Sequence, residues 1–134
     1  MRKTIVLPVL LALGLAVCVV AQTDADYSGW MKDIAKSKGG VKKAIESKSN
    51  SDVADGATHM AGLFKQVGGF WAKRNASDAV TIAKNAESAS NDLAAAAKAG
   101  DDAKIASSFQ AVGAACGACH MAHRDGSPGN FTIK

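Results

Sequence analysis

The sequence predicts an all-α protein, an antiparallel up-down-up-down four-helix bundle, and three observations carry that prediction. From Asp26 onward the chain is rich in Ala, Lys, Asp and Ser, has one Pro, at 128, and few β-branched runs, which is helical material. Cap and loop residues interrupt it at Ser49-Asn50-Ser51-Asp52, Arg74-Asn75-Ala76-Ser77-Asp78 and Ala99-Gly100-Asp101-Asp102. After each break a new apolar periodicity opens, with the four-and-three spacing of helices packed side by side.

The first predicted helix, about 26–48, sets Trp30, Ile34, Val41 and Ile45 on one stripe, and Gly39-Gly40 is expected to weaken and bend its middle. The second, about 52–73, has the clearest pattern: Val53, Ala57, Met60, Phe64, Val67 and Trp71, widened by Leu63 and Phe70. The third, about 77–99, uses Val80, Ile82, Ala83, Ala86, Leu93 and Ala94 to Ala97, small side chains that permit close approach but bury little. The fourth, about 102–124, runs Ile105, Phe109, Val112, Cys116, Cys119 and His123, and Gly100 is placed to end the helix before it. Short connections favour antiparallel neighbours. Residues 125–134, with Gly126, Pro128 and Gly129, read as a tail or short docked loop. There is no internal repeat and no second domain. A core so rich in Ala and poor in aromatics is thin for an unaided bundle, so a further group is expected to fill it.

Residues 1–21 are set apart from this domain, which is taken as 22–134. Arg2 and Lys3 precede an apolar run from Ile5 to Val20, and Val19 and Ala21 are small enough for cleavage before Gln22. The run is shorter than the roughly 20 residues needed to span a bilayer, so it reads as a secretory signal and not as a stable membrane insertion. A lipoprotein reading, with Cys18 as a lipidated N-terminus, fits less well because Val17 is a poor residue before such a cut. Removing Arg2 and Lys3 leaves 14 basic residues against 12 acidic, a net charge of +2. With no long basic run and seven aromatics, the electrostatic footprint of a nucleic-acid binder is missing.

The mature chain then holds two cysteines, both in Cys116-Gly117-Ala118-Cys119-His120. Two thiols three residues apart on a helix can each add to a vinyl group of one haem, while the next imidazole reaches the iron. Zinc needs a second ligand pair, a thioredoxin-like redox pair needs a βαβ context, and a plain disulfide leaves His120 unexplained. One haem c, bound through two thioethers, is the expectation.

With this motif in the last of four helices behind an export signal, the chain resembles the class II c-type cytochromes, the cytochrome c prime family with its six-coordinate, low-spin members. The resemblance covers about residues 26–124. The family pattern is Cys-x-x-Cys-His-x-x-aromatic-basic; here Cys116, Cys119 and His120 are followed by His123 and Arg124, so the aromatic position holds a histidine. That departure leaves open what packs beside the proximal imidazole. The resemblance implies that Arg124 bears on a haem propionate or on the imidazole; a solvated arginine at a helix C-terminus is the plain alternative.

Helix geometry separates the candidates for the second face of the iron. Met121 and His123 share a helix with His120 and cannot cross the haem. His59 and Met60 stand roughly 17 Å up the bundle from Trp71. Met31, a little over one turn into the first helix, is at the matching level, and the run Trp30-Met31-Lys32-Asp33-Ile34 is similar to the family segment that supplies a methionine ligand. Met31 as simple core packing remains the alternative. Trp30, Phe64, Phe70 and Trp71 are expected to wall the pocket, His59 to be solvated or capping, and His123 to neighbour the haem edge.

With His120 and Met31 as ligands, the expected role is a periplasmic one-electron carrier, not an enzyme, meeting redox partner proteins through patches such as Lys42, Lys43 and Lys48, or Lys73 and Arg74. Without Met31 ligation, the resemblance implies a five-coordinate protein that binds NO or CO. A peroxidase-like enzyme lacks a distal acid-base histidine. The family also implies a homodimer through the first two helices as a further partner.

Overall fold

The computed structural model describes residues 21–134, so the export-signal and Cys18 readings lie outside the described residues. Four helices follow in order: α1 (Asp24–Glu46), α2 (Asn50–Ala72), α3 (Ser77–Ala99) and α4 (Asp102–His123). Each bound lies within two residues of the prediction. The start of α1 comes earlier because of Thr23: its hydroxyl accepts from the Asp26 N–H while the Asp26 carboxylate accepts from the Thr23 N–H, a reciprocal box that satisfies two otherwise orphaned donors. At α4 the Asp101 carboxylate accepts from the Lys104 N–H at 2.9 Å. Gly100 ends α3 with φ 70, a left-handed conformation that glycine adopts without a Cβ penalty. The helix α1 runs without interruption through Gly39-Gly40.

Connections of three, four and two residues make successive helices antiparallel, and α1 packs on α2, α2 on α3, and α3 on α4. The whole predicted stripe of α2 is buried, together with Leu63 and Phe70. Against it α3 presents Ala79, Ala83, Ala86 and Leu93, and their small side chains let the two helices share the most extensive interface. The fourth pair around the ring differs. Close backbone approach between α1 and α4 is limited to a point or two at most, leaving a wide seam between them. Lys48 crosses one end of that seam to Asp102 at 2.7 Å.

The α1–α2 interface depends on one glycine. A Cβ on Gly56 would stand 2.5 Å from Cγ2 of Val41, a β-branched side chain that is 1% exposed and has no room to turn. The chain after α4 departs from a simple tail. Strands β1 (Arg124–Asp125) and β2 (Thr132–Ile133) pair antiparallel, with Arg124 opposite Ile133 and Asp125 opposite Thr132. The Lys134 N–H donates to the His123 carbonyl at 3.0 Å, and Ile133 packs on the core. Among the described residues no helix is long and apolar enough to cross a membrane.

Two glycines of α2 should therefore respond oppositely to the same change. Gly56→Ala is expected to destabilise the protein by about 1–2 kcal/mol, the overpacking cost exceeding the gain in helix propensity. Gly62, with nothing within 4 Å of its would-be Cβ, should gain up to about 1 kcal/mol as Gly62→Ala. Urea denaturation midpoints of the two variants check the signs.

Candidate functional site

The start of α1, the end of α2, the start of α3 and the end of α4 converge at one end of the bundle, and most of the aromatics gather there. Tyr27 stacks on Phe70 with ring centroids 4.5 Å apart and meets Trp71 edge-on at 5.6 Å. Trp30 and Trp71 both stand perpendicular to Phe70, at 6.5 and 5.4 Å. Arg74 closes the group from outside, its guanidinium 3.6 Å over the Phe70 ring and ion-paired with Asp24. Three of the four predicted wall residues thus form one cluster. Phe64 is buried in the core, six residues or about 9 Å further up α2 than Phe70.

The α4 motif reaches this cluster directly. Cys119 is buried beside the Tyr27 hydroxyl, and burial raises both groups, the phenol to about 12. Cys116, one turn back, is partly buried; burial pushes its thiol up against the opposing pull of the Lys38 cation. Both thiols are free. Burial, and after it the cations Arg124 and Lys38, hold the His120 imidazole below its usual value, which keeps a nitrogen lone pair available near neutral pH. Arg124 itself caps α4 and lies 3.9 Å over the Phe131 ring, so its charge does bear on the imidazole, from a position tied to the C-terminal hairpin.

His123 fills an aromatic slot. Its ring packs on Trp71 at 4.7 Å between centroids while Nε2 meets the Asp78 carboxylate at 2.7 Å, joining the end of α4 to the start of α3. The His123 contact and the Ala79 N–H hold Asp78 below the ordinary carboxylate range. His59 is elsewhere: Nε2 meets Asp33 at 3.0 Å on the half-exposed α1–α2 surface, so it is paired as well as solvated. Met60 is fully buried core, and Met121 is 81% exposed.

Two contacts report the register of α1 against α4. Tyr27 lies beside Cys119, and Lys38 Nζ lies 3.6 Å from where a Cβ on Gly113 would stand. Counting along the antiparallel helices, four residues on from the first contact and seven back from the second, Met31 faces the span from Ala115 to His120. Met31 is partly buried against the core. Tyr27, Met31, Ile34, Lys38, Val41 and Ile45 keep a four-three spacing along α1, which includes the predicted Ile34, Val41 and Ile45, while Trp30 packs at its edge. Full use of that spacing finds Tyr27 and Lys38; nothing in the sequence announces Asp78 or Gly113.

The donor set matches a c-type haem. Two unbonded thiols on one turn, a neutral imidazole beside them and a thioether across the seam are the groups such a cofactor takes. Trp71 Nε1 is buried in this cluster with no hydrogen-bond partner, so the site also holds an unspent donor. Two surface clefts lie apart from it, one of about 680 Å³ along α1 and α2 beside Val41 and Gly56, the other of about 310 Å³ between α3 and α4 beside Asp92 and Ser107. Comparison with protein families matches residues 26–124 to the model described as Cytochrome C'. No curated protein and no solved structure matches the chain.

The Tyr27 environment sets a pH dependence. The unfolded phenol loses its proton near 10 and the folded one near 12, so the unfolded state binds fewer protons in between and stability falls as pH rises through that window. Tyr27→Phe should lessen the fall by about 1 kcal/mol at pH 11, leaving the share of the two thiols, which burial also raises. Urea midpoints at pH 8 and pH 11 for both proteins measure it; equal losses in the two would contradict the assignment.

Proposed function

The chain belongs to the cytochrome c′ family, a family of c-type haem proteins, and from that premise we propose that it is an exported one-electron carrier with a single haem c held by Cys116, Cys119, His120 and Met31. When bound, the haem supplies a one-electron couple at the protein's own potential. The remaining work belongs to the chain. With the haem bound, Cys116 and Cys119 would hold it by thioethers, each S–H adding across one vinyl C=C, and the His120 imidazole and the Met31 sulfur would be its iron ligands, the thioether favouring the reduced state. Trp30, Phe70, Trp71 and Tyr27 keep water from the ligand end of the bundle.

The observation that carries this reading is the register of α1 on α4, which sets a partly buried methionine opposite the motif. Periplasmic location is supported by the Arg2-Lys3 start and the apolar run that follows. Redox partner proteins are the expected partners. Lys42, Lys48 and Arg74 are engaged in ion pairs with Glu46, Asp102 and Asp24, which leaves Lys43 and Lys73 as the exposed cations of the two patches without a carboxylate partner among the described residues.

The visible spectrum of the purified protein, oxidised, reduced and then exposed to CO, tests the proposal. Sharp low-spin bands indifferent to CO in the unmutated protein, converted to a high-spin, CO-sensitive spectrum in Met31→Ala, are expected. A high-spin, CO-binding spectrum before any mutation would replace the carrier with a binder of NO or CO, with Met31 a packing residue. Cys116→Ala combined with Cys119→Ala should leave no haem attached to the denatured chain, read by haem stain on a denaturing gel.

A further inference from the structure

Among the described residues Lys38 is the one cation that the structure sets against the α4 motif from across the seam. It is partly buried on the inward stripe of α1, between Ile34 and Val41. Its ammonium lies 5.8 Å over the centre of the Phe109 ring and 3.6 Å, an ordinary contact distance, from where a Cβ on Gly113 would stand. Gly113 lies one turn before Cys116 on α4, so the charge stands within a turn of the motif. No carboxylate pairs with it among the described residues: Asp33 is taken by His59, Glu46 by Lys42 and Asp102 by Lys48. An unpaired ammonium partly withdrawn from water costs solvation, and it acts over a longer range than a compensated one because little screens it.

We propose that Lys38 sets the reduction potential of the haem held at the motif, its fixed positive charge favouring the electron-bearing form. The inference rests on haem attachment at Cys116 and Cys119 and is independent of whether Met31 ligates. The reaction it biases is an outer-sphere one: one electron arrives from a reducing partner protein, ferric iron becomes ferrous, and no bond or proton changes hands. The local charge falls by one unit, so a nearby cation stabilises the product relative to the reactant. Lys38 touches no reacting atom in this account. It is a positioning charge, held over Phe109 and against Gly113.

A lysine stem can also serve only as cover for apolar surface, and the test separates the two roles. Lys38→Met keeps the stem and removes the charge; Lys38→Arg keeps the charge; Lys38→Gln repeats the neutralisation should the Met variant fold poorly. Lys36→Met, on the α1–α2 cleft, is the control. Potentiometric titration of the four haem-loaded variants and the parent, at pH 7 and low ionic strength, is read beside their visible spectra. The expected result is a lower midpoint for Lys38→Met and Lys38→Gln, up to about tenfold in the reduction equilibrium, ~59 mV for a one-electron couple, with unchanged spectra. Lys38→Arg and Lys36→Met should match the parent. A midpoint that ignores neutralisation, one that falls as far in Lys38→Arg, or a spectrum altered by neutralisation would each overturn the proposal. A parent without covalent haem would sink the reading of the site itself, and a Met31→Ala spectrum that matches the parent's would sink only the Met31 ligation behind the carrier.

Discussion

The register of α1 against α4 is the constraint on which the site depends, and these two helices do little to set it themselves. It is transmitted the long way round, through α1 on α2, α2 on α3 and α3 on α4. Each of those interfaces therefore has to be exact in level as well as in contact. Gly56 against Val41 sets the approach of the first pair, and the alanines of α3 set that of the second. Lys48 to Asp102 pins one end of the seam, while Tyr27 beside Cys119 and Lys38 beside Gly113 meet across it. A slip of one turn, about 5.4 Å, would change which turn of α4 stands opposite Met31.

The distribution of side chains follows from the same arrangement. Most of the interior is alanine and valine, which packs helices closely but buries little area, and the heavier payload of Tyr27, Trp30, Phe70 and Trp71 is concentrated at the motif's end. A haem c bound to this family's motif adds a large apolar surface where the helices are least in contact, so cofactor and fold support one another. The thin core expected from composition is then a property of the chain without its cofactor.

Much of this was legible in the sequence, for physical reasons that also explain what was not. Helix bounds follow from caps and glycines within a few residues, and Gly100 and Asp101 do what their residue types suggest. The motif is legible because its chemistry needs three particular side chains at fixed spacing. That Met31 and His120 lie toward the same end of the bundle was legible because antiparallel topology fixes levels. The stripe of α1 was read through Ile34, Val41 and Ile45, which are on it, and missed Tyr27 and Lys38 because one is amphipathic and the other charged, and an apolar pattern passes over both. The C-terminal ladder is two residues deep and depends on Arg124, Phe131 and Ile133 finding the end of α4, a tertiary fact with no local signal. His123 departs from the family's aromatic position, yet its ring packs on Trp71 and adds a side-chain hydrogen-bond contact with Asp78 that an aromatic hydrocarbon lacks.

That last substitution bears on how the proximal side is held. His120 lies three residues before His123, within one turn of α4, so whatever fixes the ring of one restricts the backbone of the other. A phenyl or phenol at this place is held by packing alone or by one hydroxyl; His123 is held by Trp71 on its face and Asp78 on its edge, tying α4 to both α2 and α3. The hairpin then adds a third restraint from the Lys134 N–H to the His123 carbonyl. The chain thus anchors the end of α4 from three directions, whereas its α1 side is met by single side chains, Tyr27 at Cys119 and Lys38 at Gly113. The backbone that carries the imidazole is therefore fixed mainly by α2, α3 and the hairpin, and less by α1.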